Sequence, residues 1–460
     1  MRRPLLPAAV RRSCLVPVAV VLLACGVQRS PPAQPPAAEV TLSPLARGAP
    51  TGPRTSASEP IAAPDAAAAS RPSAEPPDGA TTTAAAEEGP IAGLDLLRIQ
   101  EEDGRLVAPT ADGVAELTLD VDLQRIARRL IAARHMPAAS VVLVDVATGH
   151  LLVYASRSEG GPPRDGCVEA SAPSASVFKI VTAAALVEDA HLGSDTKQCY
   201  SGGEQRITAT DLVDDPVRDK WCTTLAGALG HSVNTAFARL AKAHLSAPQL
   251  EAMARRFGYG QALPFDVPVE PSAVHVPVEP LAFARTAAGF WNTRLSPLHA
   301  AEMSAIVARG GESLRPTIVA KIAAAPGGAR APEPAAALPH RAIAPETAEQ
   351  LTVMMERTVS EGTSWHAFHD AHGAPFLPAI AVAGKTGTLS DPETHHTYTW
   401  FTGFAPSRPP GGEGQVAIAT LVVNGPTWQI KANVLARDVL RAYFAARGAK
   451  GVTSPSVRAT

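Results

Sequence analysis

Strand-like runs sit at both ends of the folded part of this chain and helical runs fill the middle. That order admits few folds. Residues 117–135 open with Thr118-Leu119-Asp120 and continue as an amphipathic helix, with Leu123, Ile126, Ala127, Leu130 and Ile131 at helical spacing. Residues 139–146 are a mostly apolar, β-rich run. Thr148-Gly149 makes a turn and residues 151–154 return, which predicts a hairpin. Three more strand-like runs follow near the C-terminus, at 381–389, 397–404 and 416–423, then a last helix at 432–446. The hairpin plus these three strands predicts a five-stranded, mostly antiparallel sheet flanked by helices. Between them, 177–187 has the composition of a buried helix, and 225–245 reads as a single helical stretch. Residues 282–309 hold a helical pair and 346–359 one more helix. Residues 264–278, rich in Pro and Val, read as loop, and 326–339 as an exposed Pro- and Ala-rich excursion. The middle helices predict a helical subdomain, so the fold class is α+β.

Composition matters most before residue 91. Residues 27–90 are mostly Pro, Ala, Ser, Thr and Gly, with almost no aromatics. Such a stretch cannot bury enough apolar surface to offset its chain entropy, and it predicts a disordered tether over 25–90. Residues 91–113 read as a lead-in, 114–447 as one large domain and 448–460 as a flexible tail. The formal charge of −2, with no basic patch interleaved with aromatics, argues against a nucleic-acid partner.

The first 24 residues read as an export signal: Arg2, Arg3, Arg11 and Arg12 precede a short apolar run, residues 14–24. Eleven helical residues reach about 17 Å, too short for a hydrocarbon core of about 30 Å. Leu22-Leu23-Ala24-Cys25 resembles a lipoprotein signal site, with Cys25 as the lipidated residue. Ordinary cleavage and an uncleaved anchor are the alternatives. Either a lipid or an anchor implies an exported, periplasmic or cell-surface protein held at a membrane. Beyond Cys14 and Cys25, three cysteines remain in an oxidising compartment. Cys199 and Cys222 bracket a Gly- and Asp-rich segment where a disulfide would stabilise by about 3 kcal/mol. Cys167 could compete for either, so the connectivity stays open. No C-x-x-C spacing suggests zinc.

Three short motifs carry the chemistry. They are Ser176-Val177-Phe178-Lys179, Ser232-Val233-Asn234 and Lys385-Thr386-Gly387-Thr388. Each alone is weak, since a serine at a helix start is usually a cap. Lys179 changes the reading. It lies one helical turn after Ser176, on the same face, in a helix too apolar to hold a lysine without a task. Burial and a neighbouring cation lower a lysine's pKa, and a neutral lysine can take a serine proton. The start of that helix also aims backbone N–H groups at a developing oxyanion.

Together the motifs form the S-x-x-K, S-x-N and K-T-G set of serine acyl-transfer enzymes. The chain closely resembles the transpeptidase domain of penicillin-binding proteins over residues 115–446. The resemblance extends to Asn234-Thr235-Ala236-Phe237-Ala238-Arg239-Leu240-Ala241, Val359-Ser360-Glu361-Gly362-Thr363 and Trp400-Phe401-Thr402-Gly403-Phe404-Ala405-Pro406. It implies a D,D-transpeptidase that cross-links peptidoglycan stem peptides through an acyl-enzyme on Ser176 and is inhibited covalently by β-lactams. Ser232 would pass the proton from Lys179 to the leaving nitrogen, and Asn234 would hold a stem carbonyl. Lys385 would supply fixed positive charge, and Thr386 and Thr388 hydroxyls for the terminal carboxylate. Gly387 would leave room for substrate backbone along an edge strand. The N–H groups of Ser176 and Thr388 would hold the oxyanion. No glycosyltransferase domain is read upstream, so the resemblance implies a monofunctional enzyme with a separate glycosyltransferase as possible partner.

Rival readings are a D,D-carboxypeptidase, a serine β-lactamase, or a β-lactam sensor or scaffold without turnover. Glu251, Glu270 and Glu279 lie between the second and third motifs, but none sits in a recognisable deacylation motif. The resemblance implies no cofactor and no metal. His366, His369, Asp370 and His372 look like ligands but fall in a loop before the third motif. Gly258-Tyr259-Gly260 lacks the Lys-Ser/Thr of a phosphate loop.

Overall fold

The front hairpin and the C-terminal strands close into one sheet. The computed structural model describes residues 89–203, 206–290, 292–324, 340–409 and 414–451. Strands β1 (Ala138–Asp145) and β2 (Leu151–Ser158) are joined by β3 (Ala383–Asp391), β4 (His396–Ala405) and β5 (Val416–Asn424). Their order is β3-β4-β5-β1-β2, with every neighbouring pair antiparallel. β5 lies at the centre and is buried along its whole length. Ala417, Ala419, Leu421 and Val423 point into one core, and Val416, Ile418 and Val422 into the other. A strand covered on both faces needs apolar residues on both, which is why its sequence is a continuous apolar run. β3 lies at an edge and carries the polar third motif.

Of the ten α-helices among the described residues, seven are labelled here: α1 (Val121–Ala132), α2 (Lys179–Glu188), α3 (Leu225–Gly230), α4 (Asn234–His244), α5 (Pro297–Ala308), α6 (Pro345–Ser360) and α7 (Ala432–Gly451). Leu123, Ala127 and Ile131 of α1 and Leu435, Val439 and Leu440 of α7 cover one face of the sheet. The Asp120 side chain starts α1 by accepting from the Leu123 N–H. On the other face α5 lies against β1, β4 and β5 with every side chain from Pro297 to Val307 buried. It is apolar nearly all round, as an interior helix must be. α2, α3 and α4 extend this second core into the helical part.

Two regions differ from the sequence expectation. The stretch 225–245 is broken: α3 ends at Gly230 and α4 begins at Asn234, with Ser232 between them at φ +58°. The His231, Ser232 and Val233 N–H groups turn back onto the carbonyls of Gly227, Leu229 and Ala228, which closes α3 and reverses the chain. The second motif therefore sits in a tight connection between helices rather than near the start of one helix. The lead-in, to which the sequence assigned no definite structure, forms strands. Gln100–Glu102, Arg105–Pro109 and Gly113–Leu117 form a small antiparallel sheet whose third strand pairs with Val319–Ala324.

Cys199 and Cys222 form a disulfide between two short paired strands, Lys197–Tyr200 and Trp221–Thr224. Cys167 is a buried free thiol. No helix among the described residues is long and apolar enough to cross a membrane. The signal segment, Cys25, residues 25–88 of the tether, the 326–339 excursion and residues 452–460 lie outside the described residues.

Candidate active site

Ser176 sits on a 3-10 turn, Ala175–Phe178, that runs directly into α2. Its neighbour Ala175 adopts φ +48°, a left-handed conformation rare outside glycine. Two glycines hold the turn there. A Cβ on Gly289, itself at φ +84°, would lie 2.4 Å from the Ala175 carbonyl oxygen. A Cβ on Gly387 would come within 3.2 Å of both the Ala175 Cβ and the Ser174 carbonyl oxygen. Gly387 thus lets β3 press on the Ser176 turn, a duty its sequence context did not reveal. The Trp400 indole N–H donates to the Pro173 carbonyl at 2.8 Å and fixes the approach to the turn.

Lys179 is fully buried at the first turn of α2. Its Nζ lies 2.8 Å from Ser176 Oγ, 2.6 Å from Asn234 Oδ1 and 2.7 Å from the Ala288 carbonyl oxygen. No carboxylate among the described residues pairs with it. Burial, and secondarily the charge of Lys385, push its pKa well below the usual lysine value. A neutral amine has two N–H groups and one lone pair. The Ala288 carbonyl and the Asn234 Oδ1 are acceptors and take the two N–H groups. The lone pair is left for the Ser176 hydroxyl, the geometry of a general base.

Ser232 Oγ joins the second and third motifs. Lys385 Nζ donates to it at 2.9 Å, and Lys179 Nζ is 3.5 Å away. The left-handed backbone at Ser232 aims the hydroxyl between the two lysines. Lys385 is also fully buried and donates to the Thr386 carbonyl at 2.8 Å. Burial lowers its pKa to about 7. The expected fixed charge on Lys385 is therefore one that responds to pH near neutrality, because the amine is buried and no carboxylate among the described residues pairs with it.

Ser176, Ser232, Asn234, Thr386, Gly387 and Thr388 line one cleft of about 320 Å³ along the free edge of β3. The structure thus gathers all three motifs, although more than 200 positions separate Ser176 from Lys385. Thr363 Oγ1 and Thr386 Oγ1 lie 2.6 Å apart. Lys431 and Asn433, at the start of α7, complete the lining. Sequence reasoning missed Ala288 and Gly289, which have no motif, and Lys431, which lies beyond the last strand. His369 stacks on Trp365 at 5.0 Å and Asp370 caps the N–H groups of His372 and Ala374. No group of three potential metal ligands gathers among the described residues.

Residues 139–440 match the family model described as penicillin-binding protein transpeptidase domain. The peptidoglycan D,D-transpeptidase PbpA of Mycobacterium tuberculosis is 29% identical over 276 residues, covering 57% of this chain and 52% of its own length. Stage V sporulation protein D of Bacillus subtilis is 25% identical over 335 residues, covering 67% and 50%. The chain thus spans about half the length of the curated relatives it matches. Among solved structures, the D,D-transpeptidase domain from Eggerthella lenta superposes with TM-score 0.58 at 23% identity, covering 73% of this chain and 84% of that one. PbpA of M. tuberculosis superposes with TM-score 0.57 at 24% identity, covering 72% and 80%. At these identities the two likenesses establish the fold.

Proposed function

This chain belongs to the penicillin-binding protein transpeptidase domain family, and from that premise we propose that it is a peptidoglycan D,D-transpeptidase with Ser176 as nucleophile. Ser176 Oγ attacks the carbonyl of the terminal D-Ala–D-Ala bond and its proton passes to Lys179 Nζ. The N–H groups of Ser176 and Thr388 hold the oxyanion. The C–N bond breaks, the leaving D-Ala takes the proton through Ser232, and an ester on Ser176 remains. An amine from a neighbouring stem attacks that ester, gives up its proton along the same path in reverse, and frees Ser176. Asn234 positions the stem backbone. Thr386, Thr388 and the Lys385 charge receive the terminal carboxylate. Water in place of the amine gives a carboxypeptidase.

One observation carries this reading: a buried lysine with no carboxylate partner stands 2.8 Å from the serine hydroxyl, its two N–H groups directed at other acceptors. A lysine so placed can take the Ser176 proton and make the hydroxyl a nucleophile. A β-lactam presents its strained amide to the same serine, so the proposal includes covalent inhibition. It also includes export behind residues 1–24, anchoring through lipid on Cys25, the tether 25–90, and work beside a separate glycosyltransferase.

The test uses purified protein with labelled penicillin and, separately, with a stem pentapeptide plus an acceptor amine. A penicilloyl adduct on Ser176 that persists for many minutes, with D-Ala release and a cross-linked product, is expected. Ser176→Ala should abolish labelling and stay folded. Labelling of that variant at the wild-type level contradicts the assignment. Rapid penicillin hydrolysis with no surviving adduct moves the chain to the β-lactamases. Loss of membrane association in Cys25→Ala checks the anchor.

A further inference from the structure

Gly258-Tyr259-Gly260 plays no part in the steps above, yet it sends one side chain to the Ser176 turn. It follows the helix Ala247–Arg256. Both glycines are left-handed, at φ +98° and +78°, so the chain doubles back around Tyr259. The Tyr259 N–H donates to the Ala254 carbonyl at 3.0 Å, and the Gly260 N–H to the Ser272 carbonyl at 2.7 Å. The Tyr259 side chain is fully buried. Its ring meets Phe178 edge-on, with centroids 5.5 Å apart, and His299 of α5 at 5.0 Å. His299 is itself fixed. Its Nε2–H donates to the Phe257 carbonyl at 2.6 Å, and burial lowers its pKa to about 4, so the ring is neutral.

A ring held by both neighbours carries its hydroxyl to one place. The Tyr259 hydroxyl lies 3.1 Å from Ser174 Oγ, and both residues are fully buried. Neither hydroxyl has another hydrogen-bond partner among the described residues. Packing alone would be served as well by a Phe and an Ala of the same shape, so the pair has work beyond filling space. Ser174 stands two residues before Ser176, and Ala175 between them is the residue at φ +48°. An alanine resists that conformation, and such strain persists only where the surroundings impose it. The Trp400 N–H holds the Pro173 carbonyl, and the space at Gly289 admits the Ala175 carbonyl. Neither contact grips the Ser174 side chain; Tyr259 does. Releasing Ser174 lets Ala175 relax, and relaxation there swings Ser176 Oγ away from Lys179 Nζ, which it meets at 2.8 Å.

We propose that Tyr259 is a positioning residue for acylation: its hydroxyl latches Ser174 and so holds the left-handed turn that keeps Ser176 aimed at Lys179. It touches neither substrate nor the reacting atoms. The inference rests on the reading of Ser176 as the nucleophile.

Acylation by labelled penicillin, followed over a range of concentrations, separates the first-order rate at saturation from the half-saturating concentration. Tyr259→Phe should lower that rate about tenfold, the worth of one hydrogen bond, and leave the half-saturating concentration near wild type. Two double variants separate positioning from packing. Tyr259→Phe with Ser174→Ala removes the hydroxyl left without a partner. The melting temperature lost in Tyr259→Phe should then return, while acylation stays slow. Tyr259→Phe with Ala175→Gly should recover most of the acylation rate, because glycine takes the left-handed conformation without a latch. Three results overturn the proposal: wild-type acylation by Tyr259→Phe, a rate restored by Ser174→Ala, or no rescue by Ala175→Gly. Wild-type protein that takes no label refutes the acylation reading, and this role with it.

Discussion

Two buried basic side chains meet the same helix, α4, and do opposite work. Lys179 touches Asn234, the first residue of α4. Arg239, five residues further along the same helix, is equally hidden, with a side chain 3% exposed. Arg239 is clamped by the Asp219 carboxylate at 2.6 and 3.1 Å and by Asp214 at 3.1 Å. It also donates to the carbonyls of Asp211, Val213 and Cys199. The guanidinium holds the Asp219 carboxyl well below the ordinary range. Lys179 has the Ser176 and Ser232 hydroxyls, an amide oxygen, a carbonyl and the Phe237 ring, and among the described residues no carboxylate. A buried cation with a carboxylate keeps its charge and fastens a loop. One without a carboxylate gives up its proton and becomes a base.

The largest expected contrast comes from Lys179→Met and Arg239→Met. Lys179→Met should slow penicillin labelling by about 10²–10⁴-fold, the usual worth of a general base, and leave the melting temperature unchanged or higher. Arg239→Met should lower the melting temperature, because Asp219 is left buried without its partner. Thermal melts and labelling rates on both variants check this. A melting loss in Lys179→Met as large as in Arg239→Met would break the distinction.

A smaller effect is expected at the disulfide. Cys199 and Cys222, 23 positions apart, close the segment that Arg239 grips from inside. Replacing both by Ser should cost about 3 kcal/mol in the chain-entropy account, read as a lower urea midpoint. Labelling at Ser176 should stay near wild type, since Lys179 and Lys385 do not contact this segment. A labelling loss as steep as that of Lys179→Met would mean the two regions are not separable.

The smallest effect concerns pH. The Lys179 pKa is lowered by burial and then by Lys385, so the amine is neutral above its folded-state pKa and protonated below it. Labelling should therefore decline as pH falls. Lys385→Met removes one of the two causes and should move that decline to higher pH, besides lowering the rate. An unmoved acid limb means that Lys385 does not act on Lys179.

Much of this was legible in the sequence, for identifiable reasons. The five strands announce themselves through local composition, and β5 through an unbroken apolar run. Ser176, Lys179, Ser232, Asn234 and Lys385 were readable because their types and order are unusual together. The break at Ser232 was not, because residues 225–245 are helix formers on both sides and the reversal lies in one left-handed residue. The pairing of Gly113–Leu117 with Val319–Ala324 joins segments about 200 positions apart, beyond any local pattern. Ala288 acts through a carbonyl and Gly289 through the absence of a side chain, and neither leaves a sequence signal. The weakening of the Lys385 charge follows from burial, which only the packed fold reveals.

The central claim is that Lys179, buried without a carboxylate, gives up its proton far more readily than an ordinary lysine. Lysine labelled with carbon-13 at Cε, followed by NMR from acid to alkaline pH, reads each amine directly, and Lys179→Met assigns the signal. The account predicts that the Lys179 signal titrates well below the ordinary lysine range. A Lys179 signal that titrates in the ordinary lysine range near pH 10 would contradict it.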